Sequence, residues 1–279
     1  MGSSRKPQFV VTVLGSGTCK PSSNRFPPAY FVKPAASKEG WLLDAGAGVL
    51  QRLAKENIDY KSLDRVFVSH DHRDHIAGLM PLLQALYVAS KKGMMLKPLT
   101  IYGPESVKRY WERNLECAPF LHPSDDLPYS FHILAEGSEV SENDWHLRTR
   151  AMHHSTPGST LGFRFTQDSC TLVYGADTAP CDAIRDLSKA ADLLILEASY
   201  PKNTAREDAK GHLTTYEAGA IALEARAKRL LVSHFNPEVG EQMDDQERKS
   251  EVGASGFCGE IISAADGMSL NVFRHESIL

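Results

Sequence analysis

The sequence predicts an α/β protein folded as one large domain, with two sheets or a single large sheet covered by helices. Three observations predict it. Short β-type runs recur, each bounded by turn residues, and helical patterns lie between them. No internal repeat, low-complexity tract or Pro/Gly/Ser linker divides the chain. Its 279 residues stand against roughly 150 per domain and suffice to bury a core without disulfide support.

The first runs, Phe9 to Leu14, Tyr30 to Val32 and Trp41 to Leu43, read as hairpin-like strands. Gly48 to Glu56 follows as a helix carrying Val49, Leu50 and Leu53. Val66-Phe67-Val68 is a strand, and Ile76 to Ser90 is a helix with Leu79, Leu82, Leu83 and Leu86 on one face. Leu99 to Tyr102 is the next strand. Residues 117–130, punctuated by proline, read as a loop that either borders a site or merely connects. Leu161 to Phe165 and Thr171 to Tyr174 form strands joined by a hairpin turn. Leu193 to Leu196 and Leu230 to Val232 complete the set. Between them Thr215 to Ala227 forms a helix carrying Ala218, Ala222, Leu223 and Ala225, with Thr214 or Thr215 as cap. The run Glu241 to Glu251 reads as a solvated helix.

Composition narrows the function. Hydrophobic residues make up 42% and charged residues 24%, which excludes a disordered or fibrous chain. The net charge of −4 does not suit a general nucleic-acid binder but leaves room for a local basic groove. The cysteines at 19, 117, 170, 181 and 258 include no CxxC pair, so a reducing compartment is the simpler reading. The polar segment 1–7 carries no signal-peptide pattern and is expected to be a disordered leader or the remnant of an added tag, ahead of one domain over 8–279. No apolar run approaches the ~18 residues of a membrane span. A cytoplasmic protein with no membrane partner is expected.

The chemistry concentrates in histidine. In Val66-Phe67-Val68-Ser69-His70-Asp71-His72-Arg73-Asp74-His75, an apolar strand ends and His-x-His-x-Asp-His opens an amphipathic helix. Residues i and i+2 on extended backbone project to one side, so His70 and His72 can hold one metal ion. Asp74 and His75, at the helix start, can turn toward a second. Imidazole and carboxylate ligands suit zinc, with manganese or iron as alternatives. One cluster supplies too few ligands for two ions. Three later strand ends are candidates: His153-His154, Asp177 in Gly175-Ala176-Asp177-Thr178, and His234 in Ser233-His234-Phe235. Ligands just past strand ends point into a common crevice. Taken singly, Asp177 reads equally as a turn aspartate and His234 as a satisfied buried histidine.

This order of motifs resembles the metallo-β-lactamase superfamily, and more closely its ribonuclease Z-like branch. The resemblance rests on His70-x-His72-x-Asp74-His75, on Leu14-Gly15-Ser16-Gly17-Thr18 with Pro21 and Arg25, and on Gly162-Phe163-Arg164. It rests further on Asp192-Leu193-Leu194-Ile195-Leu196-Glu197-Ala198 and on His212-Leu213-Thr214-Thr215 before an Ala-rich helix. It runs from about Val11 to Asn271.

The resemblance implies a single-domain, four-layer αββα sandwich with two divalent ions, of zinc type, between the sheets. One ion would take His70, His72 and His154, the other Asp74, His75 and His234, with Asp177 bridging. His153 competes with His154; adjacent residues on an extended segment point opposite ways, and His154 is assigned because it is nearer the Gly-Phe-Arg strand. The implied activity is a dinuclear phosphodiesterase in which hydroxide shared by the metals attacks phosphorus. Asp74 would take a proton from that water, and His212, oriented by Glu197, would protonate the leaving alkoxide. A homodimer is implied by the same analogy.

Some features depart from the branch. Only 23 residues separate His154 from Asp177, where tRNA-processing relatives insert a long basic arm. Arm-mediated tRNA binding is therefore not expected, and a small or exposed phosphodiester, or a short RNA end, is the substrate class. Ala176 stands where many relatives have glycine. The alternative is a lactonase, thioesterase or β-lactamase-type carbonyl hydrolase on the same metals, with a non-catalytic metal-binding scaffold ranked below it. Among weaker signals, Cys19 is expected to be buried, Arg164 to meet a carboxylate and Phe235 to pack. Lys20 and Arg25 are either phosphate contacts or solvated charges.

Overall fold

The computed structural model describes residues 6–35, 37–142, 145–156, 158–240 and 243–274. Of the expected leader 1–7, residues 1–5 lie outside the described residues, as does Glu241 at the start of the charged run. In chain order the strands are β1 (Phe9–Gly15), β2 (Ala29–Pro34), β3 (Gly40–Leu43), β4 (Leu63–Phe67), β5 (Leu99–Gly103), β6 (Tyr129–Ile133) and β7 (Glu139–Glu142). They continue with β8 (Trp145–Ala151), β9 (Leu161–Gln167), β10 (Cys170–Tyr174), β11 (Leu193–Glu197), β12 (Arg229–Ser233), β13 (Glu260–Ser263) and β14 (Ser269–Val272). The helices are α1 (Val49–Lys55), α2 (Arg73–Ile76), α3 (Leu79–Lys91), α4 (Glu105–Cys117), α5 (Asp182–Leu187), α6 (Thr215–Glu224), α7 (Pro237–Gly240) and α8 (Asp245–Gly253).

The strands form two mixed seven-stranded sheets, ordered β14-β1-β2-β3-β4-β5-β6 and β13-β12-β11-β10-β9-β8-β7. Residue alternation explains the layering. In β3, Trp41 and Leu43 enter the core between the sheets, while Leu42 faces a second core with Leu53, Leu82, Leu83 and Leu86 of α1 and α3. Across the first core, Trp41 meets Trp145 and Phe165 with ring centroids 5.0 and 5.4 Å apart. The expected four-layer sandwich is therefore present, built by helices covering the outer faces.

The strand runs read from sequence all form, but β4 pairs parallel with β3 rather than as a hairpin. The expected turn at residues 166–170 joins β9 and β10, with Asp168 and Ser169 both at positive φ, the geometry of a tight two-residue hairpin. The caps follow their chemistry: Thr214 and Asp244 each close a capping box with a glutamate three residues on. The expected loop 117–130 instead ends in Tyr129, which opens β6 beside β5. Helix α4 went unread because its apolar stripe is only Val107, Trp111 and Leu115 on an otherwise charged segment.

The helix expected over 76–90 is split at Gly78. Its N–H donates to Ala45 O at 2.8 Å, and a Cβ there would lie 2.4 Å from Gly46 O. The break lets α2 turn His75 inward while α3 packs outward. Gly78→Ala is expected to cost about 1–3 kcal/mol through this clash. Urea unfolding checks it, and a wild-type midpoint would show that the turn yields freely.

Candidate metal centre

The parallel strands of both sheets end at one crevice, as open α/β architectures require. His70 to His75 follow β4, Asp177 follows β10, Glu197 closes β11 and His234 follows β12. His154 arrives from β8. The structure brings these side chains together in overlapping groups: His70, His72, His154 and Asp177; Asp74, His75 and His234; and Asp177, His212 and His234. Within each group the candidate ligand atoms lie within 4.8 Å of one another, and a divalent ion could be held there. Asp177 is common to the first and third groups, and Oδ2 lies 3.4 Å from His75 Nε2 while Oδ1 lies 3.4 Å from His234 Nε2. His154 turns its ring into the cluster, with Nε2 3.1 Å from His72 Nδ1. His153 is exposed.

The donor chemistry fits a divalent ion. Nε2 of His70, His75 and His234 is buried with no hydrogen-bond partner among the described residues. Leaving such a nitrogen unsatisfied costs about 1–3 kcal/mol unless a ligand takes its lone pair. The opposite ring nitrogen of each is occupied. His70 Nδ1 bonds Ser69 Oγ at 2.9 Å, His75 Nδ1 donates to Asp44 Oδ2 at 2.6 Å, and His234 Nδ1 bonds Ser199 Oγ at 2.9 Å. His154 Nδ1 donates to Gly211 O at 2.8 Å. Fixing Nδ1–H in this way presents Nε2 as the free base, which is how proteins orient metal-binding imidazoles.

Two buried carboxylates organise the rings. Asp44 holds His75 directly and His70 through Ser69, whose hydroxyl donates to Asp44 Oδ2 at 2.9 Å. Tyr174 also donates to Asp44 Oδ2, at 2.5 Å. Glu197 holds His212 directly, Nδ1 lying 2.9 and 3.1 Å from its oxygens, and His234 through Ser199, which donates to Glu197 Oε2 at 2.6 Å. Sequence reasoning missed Asp44, Ser69 and Ser199. The available signals were weak: an aspartate at a strand end before Ala45-Gly46-Ala47-Gly48, and serines adjoining His70 and Glu197.

The electrostatics follow from this packing. Burial lowers the His70 pKa, and the neighbouring His75 charge lowers it further, so His70 stays neutral. Burial opposes the charge on His75 as well, but Asp177 and Asp44 outweigh it and hold its pKa well above the usual value. Burial would raise the Asp177 carboxyl, yet the charges of His234 and His75 hold it well below the ordinary range. For His212, burial is outweighed by Glu197, and the pKa is raised to about 9.

Backbone geometry serves the same crevice. Asp44, Ala176 and His234 have φ of 58°, 51° and 59°. The left-handed conformation costs roughly 1–2 kcal/mol for a residue with a Cβ, so alanine at 176 carries strain that a glycine there would avoid. The cavity over the cluster measures about 230 Å³, and Lys20, Cys19, Tyr200 and Asn236 form part of its wall. Cys19 is exposed rather than buried because its turn forms the cavity rim. Partial burial and the Asp74 charge push its thiol up.

The remaining expectations resolve structurally. Lys20 pairs with Glu238. Arg25 donates to Ser16 Oγ and Ala264 O and lies 4.5 Å over the Phe235 ring, so it braces the fold. Phe235 is buried. Arg164 donates to the carbonyls of Leu187 and Lys189 at 2.9 and 2.7 Å rather than to the expected carboxylate, because it reaches the end of α5. All five cysteines are free. No helix among the described residues is long and apolar enough to cross a membrane.

Two helix-covered sheets with a buried His/Asp cluster at their strand ends define a metal-dependent hydrolase. The chain belongs to the β-lactamase superfamily: the family model described as Beta-lactamase superfamily domain matches residues 41–235. Ribonuclease Z of Mycobacterium bovis is 28% identical over 267 residues, covering 90% of this chain and 94% of that protein. The metallo-β-lactamase fold protein YhfI of Bacillus subtilis superposes with a TM-score of 0.80 at 26% identity, covering 94% and 98% of the two chains. The short form of human tRNase Z superposes at 0.75 with 24% identity, covering 94% and 99%, a likeness of fold.

Proposed function

We propose that the chain is a phosphodiesterase of the ribonuclease Z-like kind, working with two divalent ions of zinc type. His70, His72 and His154 would hold one ion and Asp74, His75 and His234 the other, with Asp177 between them. Bound there, the ions supply a water of lowered pKa and positive charge against the phosphoryl oxygens. Asp74 accepts the proton of the attacking water, and the cavity walls exclude bulk solvent from the reacting centre.

The observation that carries the reading is the His212–Glu197 pair. Glu197 occupies Nδ1 and keeps the ring protonated, so Nε2 is the proton donor to the leaving alkoxide. The same bond argues against His212 as a third metal ligand, since its Nδ1 is the atom nearest Asp177, at 3.9 Å, and that atom carries the proton. A carbonyl hydrolase with a good leaving group needs no such acid. The relatives named ribonuclease Z support the phosphodiester class. A short RNA end or other exposed diester suits the short hairpin at residues 166–170 better than arm-bound tRNA. The reading keeps the cytoplasmic homodimer expected from the resemblance.

Metal analysis paired with turnover of bis-p-nitrophenyl phosphate tests the reading. Two ions per chain and a turnover abolished by chelator and restored by zinc are expected. Two ions with hydrolysis of lactones or esters alone would move the assignment to the carbonyl hydrolases. One ion or none would overturn the ligand set.

A further inference from the structure

The loop that carries the metal motif has two sides. His72 and Asp74 face the metal cavity, while Asp71 and Arg73, alternating with them, line a second cavity of about 510 Å³. Its far wall is one face of α4, with Arg109, Tyr110, Arg113 and Asn114. The Arg73 guanidinium lies 4.4 Å over the Tyr110 ring, which orders it beside the cavity. Arg109 and Arg113, one helical turn apart, are exposed and form no ion pair with a carboxylate among the described residues. The acidic residue Glu112 of the same helix pairs with Lys108 instead. Three guanidinium groups thus meet one carboxylate, that of Asp71, in a chain whose net charge is −4.

We propose that this cavity binds a phosphate of a nucleic-acid strand, one removed from the linkage being cleaved. The inference rests on the phosphodiesterase reading and deepens it. The metal cavity, at about 230 Å³, is smaller than the roughly 300–1,000 Å³ of ordinary small-molecule sites. It takes the scissile linkage and leaves the rest of a strand outside. The residue-by-residue alternation of the loop sets the two cavities back to back, so a strand leaving one passes over the other. Guanidinium forks match phosphate oxygens two at a time, which a solvated patch of lysines does not do. A cyclic mononucleotide has a single phosphate and would leave the second cavity unused. The groove that the overall charge left open is therefore local, and it is assembled from the metal loop and α4.

The test is fluorescence anisotropy of a short, labelled phosphorothioate RNA strand, which resists hydrolysis, on metal-loaded protein. Arg109→Ala/Arg113→Ala is expected to weaken binding by about tenfold or more and to reduce the salt slope by about 1.4, at ~0.7 per phosphate contact. Lys108→Ala, a charge on the same helix outside the cavity, is expected to change binding by less than roughly twofold. Retained metal content and an unchanged melting curve establish that each variant is folded; Arg113→Glu replaces the double variant if it is not. Equal binding by wild type and double variant would overturn the proposal, as would an equal loss from Lys108→Ala or no strand binding by the wild type. Pyrophosphate bound as tightly as the strand would overturn it too, since the cavity would then be a free-phosphate site. Failure of the phosphodiesterase reading shows separately, as a wild type that binds the strand but does not turn over bis-p-nitrophenyl phosphate.

Discussion

His212→Ala lowers kcat on a diester with an alkoxide leaving group by about 10²–10⁴-fold, the range for a lost general acid, and changes turnover of bis-p-nitrophenyl phosphate by less than roughly tenfold. The asymmetry follows from the leaving groups. An alkoxide needs a proton as the P–O bond breaks; p-nitrophenolate does not. The pH profile carries the same signature. Glu197 raises the His212 pKa to about 9, so the ring is protonated below that value and loses its proton as pH rises through it. Bound cations pull this pKa down. The alkaline limb of kcat therefore lies at or below about 9 and is absent in His212→Ala. Equal losses on both substrates would remove His212 from the proton-donor role.

Asp44→Asn is expected to weaken metal binding by about 10–100-fold and to destabilise the fold by about 3–5 kcal/mol. Asp44 is fully buried. Its Oδ2 accepts from Ser69 Oγ, His75 Nδ1 and Tyr174 OH, and its Oδ1 from Ser69 N. An amide can accept at only one of those two positions and turns N–H donors toward the other. It also removes the negative charge facing His75, whose raised pKa depends on it. His75 and His70 lose their fixed orientation together, since both are held by this carboxylate. Titration calorimetry with zinc and urea unfolding measure the two effects. Wild-type affinity in a folded variant would show that the rings are held by packing alone.

The metal motif was legible because its information is local. His70, His72, Asp74 and His75 lie within six residues, and the turn from strand to helix decides where they point. The Thr214 cap and the 168–169 turn are local in the same sense. Strands rich in β-branched and aromatic residues were found, while β6, β7, β13 and β14 were not. Those four lie toward the sheet margins and expose many of their residues, which blurs their alternation. Helix α4 was missed for its charge, and its arginines went unread with it.

The sequence by itself determined the fold class, the strand-end placement of the candidate ligands and the kind of ion that would suit them, because periodicity and donor chemistry are written into neighbouring residues. The tertiary structure alone decided that His154 rather than His153 enters the cluster and that Asp44 and Glu197 each orient two rings. It alone set Arg73 against Arg109 and Arg113. Those relations join residues 25 to 57 positions apart, such as Asp44 with Ser69 and His154 with Gly211. Contacts of that span exist only once two sheets have packed and carried their strand ends to one crevice.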